Sequence, residues 1–315
     1  MSFSSGVKDE LSRVIPAARH CRIAEIAAVI SLAGHMEETA DGKPVLSVTT
    51  EHAGTARKYF TLLKKTYKIG TDVLIRQNTR LNHRHSYTVS VHREEDIRNI
   101  LEGSKLAGED VHPGDPLFMN ENRVIERTCC RRAFLRGAFL SAGSVSDPGK
   151  FYHLEIVCSS SEKAEQLKSI LRSFELDAKI VARKKNRVVY LKEGSQIVEL
   201  LGLMEASSSL MELENIRIMK DMRNHLNRTV NCETANINKT VVASVRQVED
   251  IEYIRDTVGF NDLPENLTEM AKVRLMYPEA TLKELGEALS PAVGKSGVNH
   301  RLRKLSAYAD ELRRH

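Results

Sequence analysis

A group of polar and basic side chains near the C-terminus has the residue types that bind a nucleic acid. Asn and Arg side chains form paired hydrogen bonds with the edges of bases, and Lys and Arg side chains neutralise phosphates. We therefore expect Asn299, His300 and Arg303 to contact bases. The other members of the group are Lys295, Ser296, Gly297, Arg301 and Lys304, of which the last two are predicted phosphate contacts.

These side chains need a helix that presents them to solvent, and the surrounding pattern predicts one. Pro264 suits the first turn of a first helix. Thr281, followed three residues later by Glu284, has the capping-box pattern that starts a second helix. A third helix, predicted to begin at Ser296, has apolar residues at helical spacing. Three short helices in this order are typical of a helix-turn-helix domain.

The alternative for this segment is a three-helix bundle that binds a protein, because helix-turn-helix geometry also occurs outside DNA-binding proteins. The distribution of charge favours DNA. Acidic residues outnumber basic ones between residues 241 and 290, whereas basic residues predominate from residue 295 onwards. Such a reversal, with few apolar side chains on the predicted exposed face, indicates a surface for an anionic partner. Double-stranded DNA is the partner that we expect.

A second pattern is a segment of apolar and small residues that occurs twice, at residues 21–34 and 130–143. When the two copies are aligned, Cys21 matches Cys130 and Ala28 matches Gly137. The separation of the two copies along the chain is much longer than the repeat unit of a solenoid protein, so the repeat indicates a duplicated domain. The small residues predict two helices that pack closely together, because no long side chain separates their backbones.

Matching elements follow each copy of the repeated segment. The spacing of apolar residues predicts a strand, a helix and two further strands in each half. They cover 45–50, 53–67, 72–77 and 87–92 in the first half, and 153–158, 162–174, 178–183 and 188–192 in the second. The predicted fold class is therefore α+β, with two similar two-layer units followed by an all-α helix-turn-helix domain.

Basic residues are concentrated on the predicted strand pairs. They are Arg76, Arg80 and Arg84 in the first half and Arg183, Lys184, Lys185, Arg187 and Lys192 in the second. Two interpretations stay open: contact with DNA phosphates, or solvated hairpins whose charge maintains solubility. Another basic cluster leads into the second repeated segment, and part of it is predicted to neutralise nearby carboxylates. Its members are Arg123, Arg127, Arg131, Arg132 and Arg136.

The cysteines have no sequence signature of a metal site or of a disulfide framework. There are five, an odd number, and no export signal is recognised. Cys129 and Cys130 are adjacent, but a C-x-x-C pair is missing, and neighbouring side chains on a helix point in different directions. No glycine-rich nucleotide-binding motif is present either. We therefore expect neither a metal nor another cofactor.

The repeated segment resembles the paired helices of the LAGLIDADG homing endonucleases, most clearly at residues 135–143 of the second copy. In those nucleases an aspartate before the last glycine of each copy holds divalent metal ions. Here these two positions are Ala33 and Ala142. Because a methyl group neither binds Mg²⁺ nor positions a water molecule, the resemblance implies that the nuclease chemistry is absent.

The alternative is an active endonuclease that holds its metal through displaced carboxylates. Glu25 lies within the first copy, and Glu37 and Glu38 follow it. The second copy offers Asp147 nearby, so a symmetric pair of carboxylates is missing. We therefore predict that the chain is not an enzyme.

Length and composition indicate a globular protein of more than one domain, with 315 residues, 41% hydrophobic and 28% charged. No apolar run approaches the ~20 residues of a membrane-spanning helix, and we expect no membrane partner and a cytoplasmic location.

A long helix is predicted over 204–228, and the asparagine-rich segment 231–236 predicts a boundary after this helix. The predicted domains are a duplicated domain over 1–221, with repeats at about 20–105 and 128–220, and a linker with the helix-turn-helix domain over 222–315.

The combination of these features resembles the WhiA family of Gram-positive bacterial regulators along essentially the whole chain. Its most specific motifs lie at residues 1–3, 135–139, 231–236 and 295–304. The resemblance implies a non-catalytic transcriptional regulator that is associated with the nucleoid and acts in sporulation, or in cell division and chromosome segregation. A scaffold of the division machinery, with other proteins as its main partners, is a third alternative.

Overall fold

The two copies of the repeated segment are helices in a computed structural model of the chain, at Arg19–Ala33 and Thr128–Ala142. The structure describes residues 2–78, 84–106, 117–119 and 122–314. It divides into one unit at Met1–Lys220 and a second at Asp221–His315. Both copies of the repeat belong to the first unit.

The first unit contains two sets of elements in the same order, preceded by helix α1 (Phe3–Arg13). The first set is α2 (Arg19–Ala33), β1 (Gly34–Glu38), β2 (Pro44–Thr50), α3 (Ala53–Tyr67), β3 (Asp72–Asn78), β4 (Arg84–Val91) and α4 (Glu94–Ser104). A short 3-10 helix at Asn122–Ile125 comes before the second set. The second set is α5 (Thr128–Ala142), β5 (Gly143–Val145), β6 (Leu154–Cys158), α6 (Ser161–Arg172), β7 (Lys179–Arg183), β8 (Asn186–Leu191) and α7 (Gly194–Met204).

Each set forms a four-stranded antiparallel sheet, in the order β1-β2-β4-β3 in the first and β5-β6-β8-β7 in the second. The predicted α+β class is confirmed, and α3 has the predicted bounds. The elements α1, α4, α7, β1 and β5 were not predicted. The strands β1 and β5 are short and begin directly at the glycine that ends each repeated helix, so they have no alternating pattern long enough to recognise.

The helices α2 and α5, which we call the motif helices, pack directly against each other in the core of the first unit. A Cβ atom at Gly137 would lie 2.6 Å from the Glu25 carbonyl oxygen and 3.0 Å from the Ala28 Cβ atom. These distances are shorter than side chains tolerate, so glycine is required for this separation of the two backbones. The predicted close packing through small residues is confirmed.

Helix α8 (Ser207–Thr257) begins in the first unit and ends in the second. The Glu10 carboxylate accepts a hydrogen bond from the Ser208 N–H (2.7 Å) and so caps its start. The prediction that the helix stops before the asparagine-rich segment was wrong. The helix contains neither Gly nor Pro, and Asn or Thr costs a helix at most about 0.7 kcal/mol relative to Ala. It ends near Gly259, which has a φ of +75°. Neither this helix nor any other in the described ranges is long and apolar enough to cross a membrane.

The second unit contains α9 (Glu265–Met276), α10 (Leu282–Glu287) and α11 (Lys295–Leu312). Their core also includes Ile251 and Ile254 from the end of α8, a contribution that the sequence pattern did not predict. The capping box is confirmed, since the Thr281 N–H donates to Glu284 Oε2 (2.7 Å) and the Glu284 N–H donates to Thr281 Oγ1 (3.4 Å). Helix α11 begins one residue before the predicted start at Ser296.

Candidate nucleic-acid interface

The exposed face of the candidate interface lies in the first half of α11. The apolar residues of this helix, including Val298 and Leu302, are buried in the core as predicted. Because an α-helix has about 3.6 residues per turn, Ser296, His300 and Arg303 fall on the opposite side. All three are exposed. The helix therefore presents a hydroxyl, an imidazole and a guanidinium group to solvent on one face.

Four other members of the predicted group lie beside this face. Lys295 and Lys304 are exposed, whereas Asn299 and Gly297 are half-buried. A Cβ atom at Gly297 would lie 2.5 Å from Val293 Cγ1, in the connection that leads into α11. Gly297 therefore contributes to packing at the start of the helix, while the other three contribute polar groups.

Arg301 is engaged within the domain. Its Nη1 atom lies 3.8 Å from Glu269 Oε2 and donates a hydrogen bond to the Asn266 carbonyl oxygen (3.5 Å), both on α9. The same glutamate accepts a hydrogen bond from the Ser290 N–H (2.9 Å), in the connection between α10 and α11. Arg301 and Glu269 thus position α11 against α9, and a phosphate contact by Arg301 would compete with these bonds.

Polar contacts from α8 also fix the helices of the second unit. The buried Arg274 side chain on α9 donates to Gln247 Oε1 through Nε (3.1 Å) and Nη2 (2.8 Å), and to the Ala280 carbonyl oxygen through Nη1 (2.6 Å). Near the end of α11, Arg313 Nη1 lies 2.7 Å from Oδ1 of the buried Asp250. The end of α8 is therefore part of the support of α11.

Arg76 and Arg183 occupy equivalent positions in the two sheets. Arg76 pairs with Ser86 near the end of β3, and Arg183 pairs with Asn186 at the end of β7. Because side chains alternate along a strand, both arginines lie on the sheet face opposite to the buried Val89 and Val189. Both are exposed. Arg76 and Arg183 thus lie on the open faces of the two sheets.

The remaining basic residues of the second sheet lie at its turn and beside it. Lys184 and Lys185 are exposed in the turn between β7 and β8, where Lys184 has a φ of 55°. Arg187 is half-buried, and the Lys192 ammonium group lies 5.2 Å from the centre of the Tyr190 ring. In the first sheet, Arg80 lies outside the described residues, as does the side chain of Arg84.

The ends of the motif helices lack the aspartates of the homing endonucleases. Ala33 and Ala142 are half-buried and precede the glycines that begin β1 and β5. Glu25, the displaced carboxylate of the alternative interpretation, is completely buried. Its Oε2 atom lies 3.2 Å from Arg136 Nε, and its Oε1 atom contacts Lys58 Nζ. Both carboxylate oxygens are therefore occupied by cationic side chains.

Lys58 links the motif helices to α1. Its Nζ atom donates a hydrogen bond to the Leu11 carbonyl oxygen (2.8 Å) in addition to its contact with Glu25. Burial lowers the pKa of Lys58 to about 8, and the nearby Glu25 carboxylate opposes this shift. The lysine therefore carries a charge that its surroundings only partly compensate.

Arg136 extends the same network to the end of α7. Its Nη1 atom donates to the Met204 carbonyl oxygen (3.1 Å) and lies 3.2 Å from Glu205 Oε2. Arg132, one turn earlier, lies 3.7 Å from the other oxygen of Glu205. The prediction that part of this basic cluster neutralises carboxylates is confirmed for these two arginines.

A group of four metal-ligand side chains lies at the N-terminal ends of the motif helices. It consists of His20, Cys21, Cys129 and Cys130, whose donor atoms all lie within 4.8 Å of one another, and we call it the Cys–His cluster. Burial, with the neighbouring thiols, raises the pKa of Cys21 to about 12. Neither His20 and Cys21 nor Cys129 and Cys130 has the spacing of a metal site by itself. Because α2 and α5 lie side by side, one pair from each helix converges.

The repeat alignment held the signal for this cluster. The alignment that superposes Cys21 on Cys130 also superposes His20 on Cys129. Two equivalent dipeptides at the starts of two helices that pack together must lie close in space. The cluster could thus have been found from the duplication, although not from cysteine spacing.

The two repeats and the helical second unit define a protein with a duplicated LAGLIDADG-like domain and a helix-turn-helix domain. Family models match in this order: the WhiA N-terminal LAGLIDADG-like domain at residues 19–107, the WhiA LAGLIDADG-like domain at 131–223, and the WhiA C-terminal HTH domain at 226–309. The chain belongs to the WhiA family, as the sequence motifs predicted.

Similar proteins cover essentially the full chain. The "Probable cell division protein WhiA" of Lachnoclostridium phytofermentans is 52% identical over 315 residues, which are 99% of this chain and 100% of the relative. The protein of the same name from Alkaliphilus oremlandii is 51% identical over 318 residues, 99% of this chain and 98% of the relative. The crystal structure of "full-length DUF199/WhiA from Thermatoga maritima" has a TM-score of 0.60 at 25% identity and covers 99% of both chains.

Proposed function

We propose that the chain is a non-catalytic, site-specific DNA-binding regulator of transcription. The observation that supports this function best is the exposed face of α11, where Ser296, His300 and Arg303 lie opposite the buried side of a helix-turn-helix domain. Groups of this kind on the second helix of such a motif bind base edges and phosphates in the major groove. Relatives carry the name of a cell division protein, so we infer that the regulated genes serve cell division, chromosome segregation or sporulation.

The side chains of α11 divide into two roles. Asn299, His300 and Arg303 read base edges, because amide, imidazole and guanidinium groups offer directional hydrogen bonds. Lys295 and Lys304 bind phosphates, since an ammonium group acts mainly as a point charge. The hydroxyl of Ser296 and the backbone at Gly297 lie at the start of the helix, and Arg301 positions the helix through its contact with Glu269.

The open faces of the two sheets provide a second, weaker contact with the DNA backbone. Arg76 and Arg183 are exposed at equivalent positions, and Lys184 and Lys185 extend the positive charge at the turn between β7 and β8. The exposed Arg183 guanidinium lies 3.7 Å from Oε1 of the half-buried Glu155, a long contact that contributes little and can be exchanged for a phosphate. Arg80 is assigned to this contact from the sequence alone.

Several observations argue against the alternative of an endonuclease with displaced metal ligands. Ala33 and Ala142 offer no ligand atom at the ends of the motif helices. Glu25 is enclosed by Lys58 and Arg136. The carboxylates that remain are Glu37 and Glu38 on β1 and Asp147 after β5, all of them exposed. A protein scaffold without DNA binding is disfavoured by the polar character of the exposed face of α11.

The experiment that tests this function is selection from a random-sequence duplex pool in the presence of Mg²⁺. The retained DNA is sequenced and its ends are inspected, so that binding and cleavage are measured together. We expect intact molecules enriched in one sequence. Arg303→Ala should abolish the enrichment, whereas Lys272→Ala should preserve it. Lys272 is the matched control because it is an exposed cation on α9 and its loss changes the net charge equally.

Three outcomes would contradict the proposal. Cleaved ends at a common site would establish the endonuclease alternative. Absence of retained DNA would favour a protein scaffold. DNA could also be retained without enrichment of any sequence, and Arg303→Ala and Lys272→Ala could weaken this retention equally. Binding would then be due to electrostatic attraction alone, without sequence specificity.

A further inference from the structure

The Cys–His cluster lies far from the place where homing endonucleases hold their metal ions. Its residues occupy the first turns of α2 and α5, whereas Ala33 and Ala142 end these helices. Each motif helix has 15 residues, so its ends are about 20 Å apart at a rise of about 1.5 Å per residue. The cluster is therefore a separate site, at the opposite end of the helix pair.

The distances in the cluster match those of a single tetrahedral metal ion. The Nδ1 atom of His20 lies 3.2 Å from Cys130 Sγ, 3.3 Å from Cys21 Sγ and 4.0 Å from Cys129 Sγ. A zinc ion with bonds of about 2.3 Å to sulfur and about 2.0 Å to nitrogen places such pairs about 3.5 Å apart. Since all four donor atoms lie within 4.8 Å of one another, their separations need to change by no more than about 1 Å to bind an ion.

The donor set selects the metal. Thiolates are soft ligands that favour Zn²⁺, whereas Mg²⁺ and Ca²⁺ prefer oxygen. Three cysteines and one histidine form the Cys3His set of structural zinc sites. Because the protein supplies all four tetrahedral positions, no position remains for a reactive water molecule. The site is suited to a structural ion rather than to hydrolysis.

The surroundings of the cluster suit a bound ion as well. Cys21 and Cys130 are buried, and they pack with Ala24 and Ala133 in a small apolar cluster of their own. Cys129 is exposed. The apolar side restricts access of water to the sulfur atoms, and the exposed side leaves a path by which an ion can enter.

We propose that the Cys–His cluster binds one zinc ion, which joins the N-terminal ends of α2 and α5. Each of these helices begins one repeat of the duplicated domain, so the ion ties the two repeats together beyond their contact at Gly137. Its binding free energy adds to the stability of the folded domain. The site belongs to the first unit and α11 to the second, so this inference does not depend on DNA binding.

The test is the metal content and the Co²⁺ spectrum of the full-length chain, purified under reducing conditions without chelator. Co²⁺ replaces Zn²⁺ in tetrahedral thiolate sites and gives strong visible bands with a thiolate-to-metal charge-transfer band. The variant is Cys129→Ser, and the matched control is Cys232→Ser. Both cysteines are exposed, and Cys232 lies in α8, outside the cluster. Neither substitution disturbs a buried side chain.

We expect about one zinc ion per chain in the wild type and in Cys232→Ser, with the same tetrahedral Co²⁺ spectrum. In Cys129→Ser the charge-transfer intensity falls by about a third, because two of three thiolates remain. The affinity for zinc falls by more than about tenfold. Loss of a residue that only hydrogen-bonds to a ligand usually costs at least this much, and loss of the ligand itself costs more. Zinc raises the Tm of the wild type, and it raises the Tm of Cys129→Ser much less.

The proposal is overturned if the reduced wild type, mixed with equimolar zinc, retains less than about a tenth of an ion per chain. It is equally overturned if Cys129→Ser has the wild-type Co²⁺ spectrum, because the ion would then lie elsewhere. An octahedral spectrum without a charge-transfer band would assign the ion to oxygen ligands. Iron instead of zinc in the purified chain would show that the bound ion is not the proposed one.

Discussion

Arg136 on α5 and Glu25 on α2 form a buried ion pair across the motif helices, with 3.2 Å between Nε and Oε2. Their side chains are 3% and 0% exposed. Arg136 directly precedes Gly137, whose missing side chain allows the two backbones to approach. The buried ion pair and the position that requires glycine are therefore adjacent on α5. A buried ion that loses its partner is strongly destabilising, so each partner depends on the other.

The first prediction concerns this pair. Arg136→Ala should lower the free energy of unfolding by about 3–5 kcal/mol, because Glu25 keeps only Lys58 as a cationic partner. Urea unfolding followed by far-ultraviolet circular dichroism measures the change. The control is Arg132→Ala, which loses a 3.7 Å contact with the half-exposed Glu205 and one hydrogen bond to the Leu203 carbonyl oxygen (3.0 Å), and which should cost about 1 kcal/mol. Equal losses in the two variants would contradict a special role of the buried pair.

The second prediction concerns the pH dependence of stability at Lys58. Burial lowers its pKa in the folded chain to about 8 from an ordinary value of 10.5. Between these values the unfolded chain binds a proton that the folded chain has released, so the contribution of Lys58 to the free energy of unfolding rises with pH. Below about pH 8 both states are protonated and the contribution is constant.

Lys58→Met removes this titration, and urea unfolding of wild type and variant between pH 7 and 10 measures it. The stability of the wild type relative to the variant should be constant below about pH 8 and increase above it. Lys64→Met, at an exposed position of α3, is the control for loss of a lysine from the same helix. A relative stability that decreases from pH 8 to 10 would show that the direction of the shift is wrong.

The third prediction concerns the helix contact at Gly137. Within a helix, replacement of Gly by Ala usually stabilises by about 1 kcal/mol. At Gly137 the added methyl group would lie 2.6 Å from a backbone oxygen of α2, so the helices must separate. Gly137→Ala should therefore destabilise the protein, by about 1–3 kcal/mol. Gly6→Ala in α1 meets no atom within 4 Å and should stabilise. Thermal unfolding compares the two, and a gain at Gly137 would refute the steric argument.

The fourth prediction separates base reading from phosphate binding on α11. Asn299→Ala should relax the preference for one sequence, with a smaller effect on affinity for unrelated DNA. Lys304→Ala should weaken binding to all sequences alike and lower the slope of log affinity against log salt by about one unit. Binding to specific and random duplexes at several salt concentrations measures both effects. Two variants with the same profile would contradict the division of roles.

Local patterns made several elements predictable before the structure. The bounds of α3 and the capping box of Thr281 and Glu284 depend on residues within one or two turns of each other. The same locality explains the failure at α8. An asparagine-rich segment suggests a break, but the helix contains no Gly or Pro that would end it, so it continues to Thr257.

The candidate sites show where local information ends. The types and helical spacing of Ser296, His300 and Arg303 placed them on one exposed face, because helix periodicity alone determines which residues share a side. That Arg301 turns towards Glu269 depends on the packing of α9 against α11. Such a contact joins residues far apart in the chain, and no spacing in the sequence encodes it.

The sequence by itself determined the duplicated α+β domain, the helix-turn-helix domain and the alanines at positions 33 and 142, since periodicity, caps and repeats can be read from the order of residues along the chain. The tertiary structure alone decided that Glu25 is enclosed by Lys58 and Arg136. It also brought the Cys–His cluster together. Both depend on two helices, more than a hundred residues apart in the sequence, approaching as closely as glycine allows.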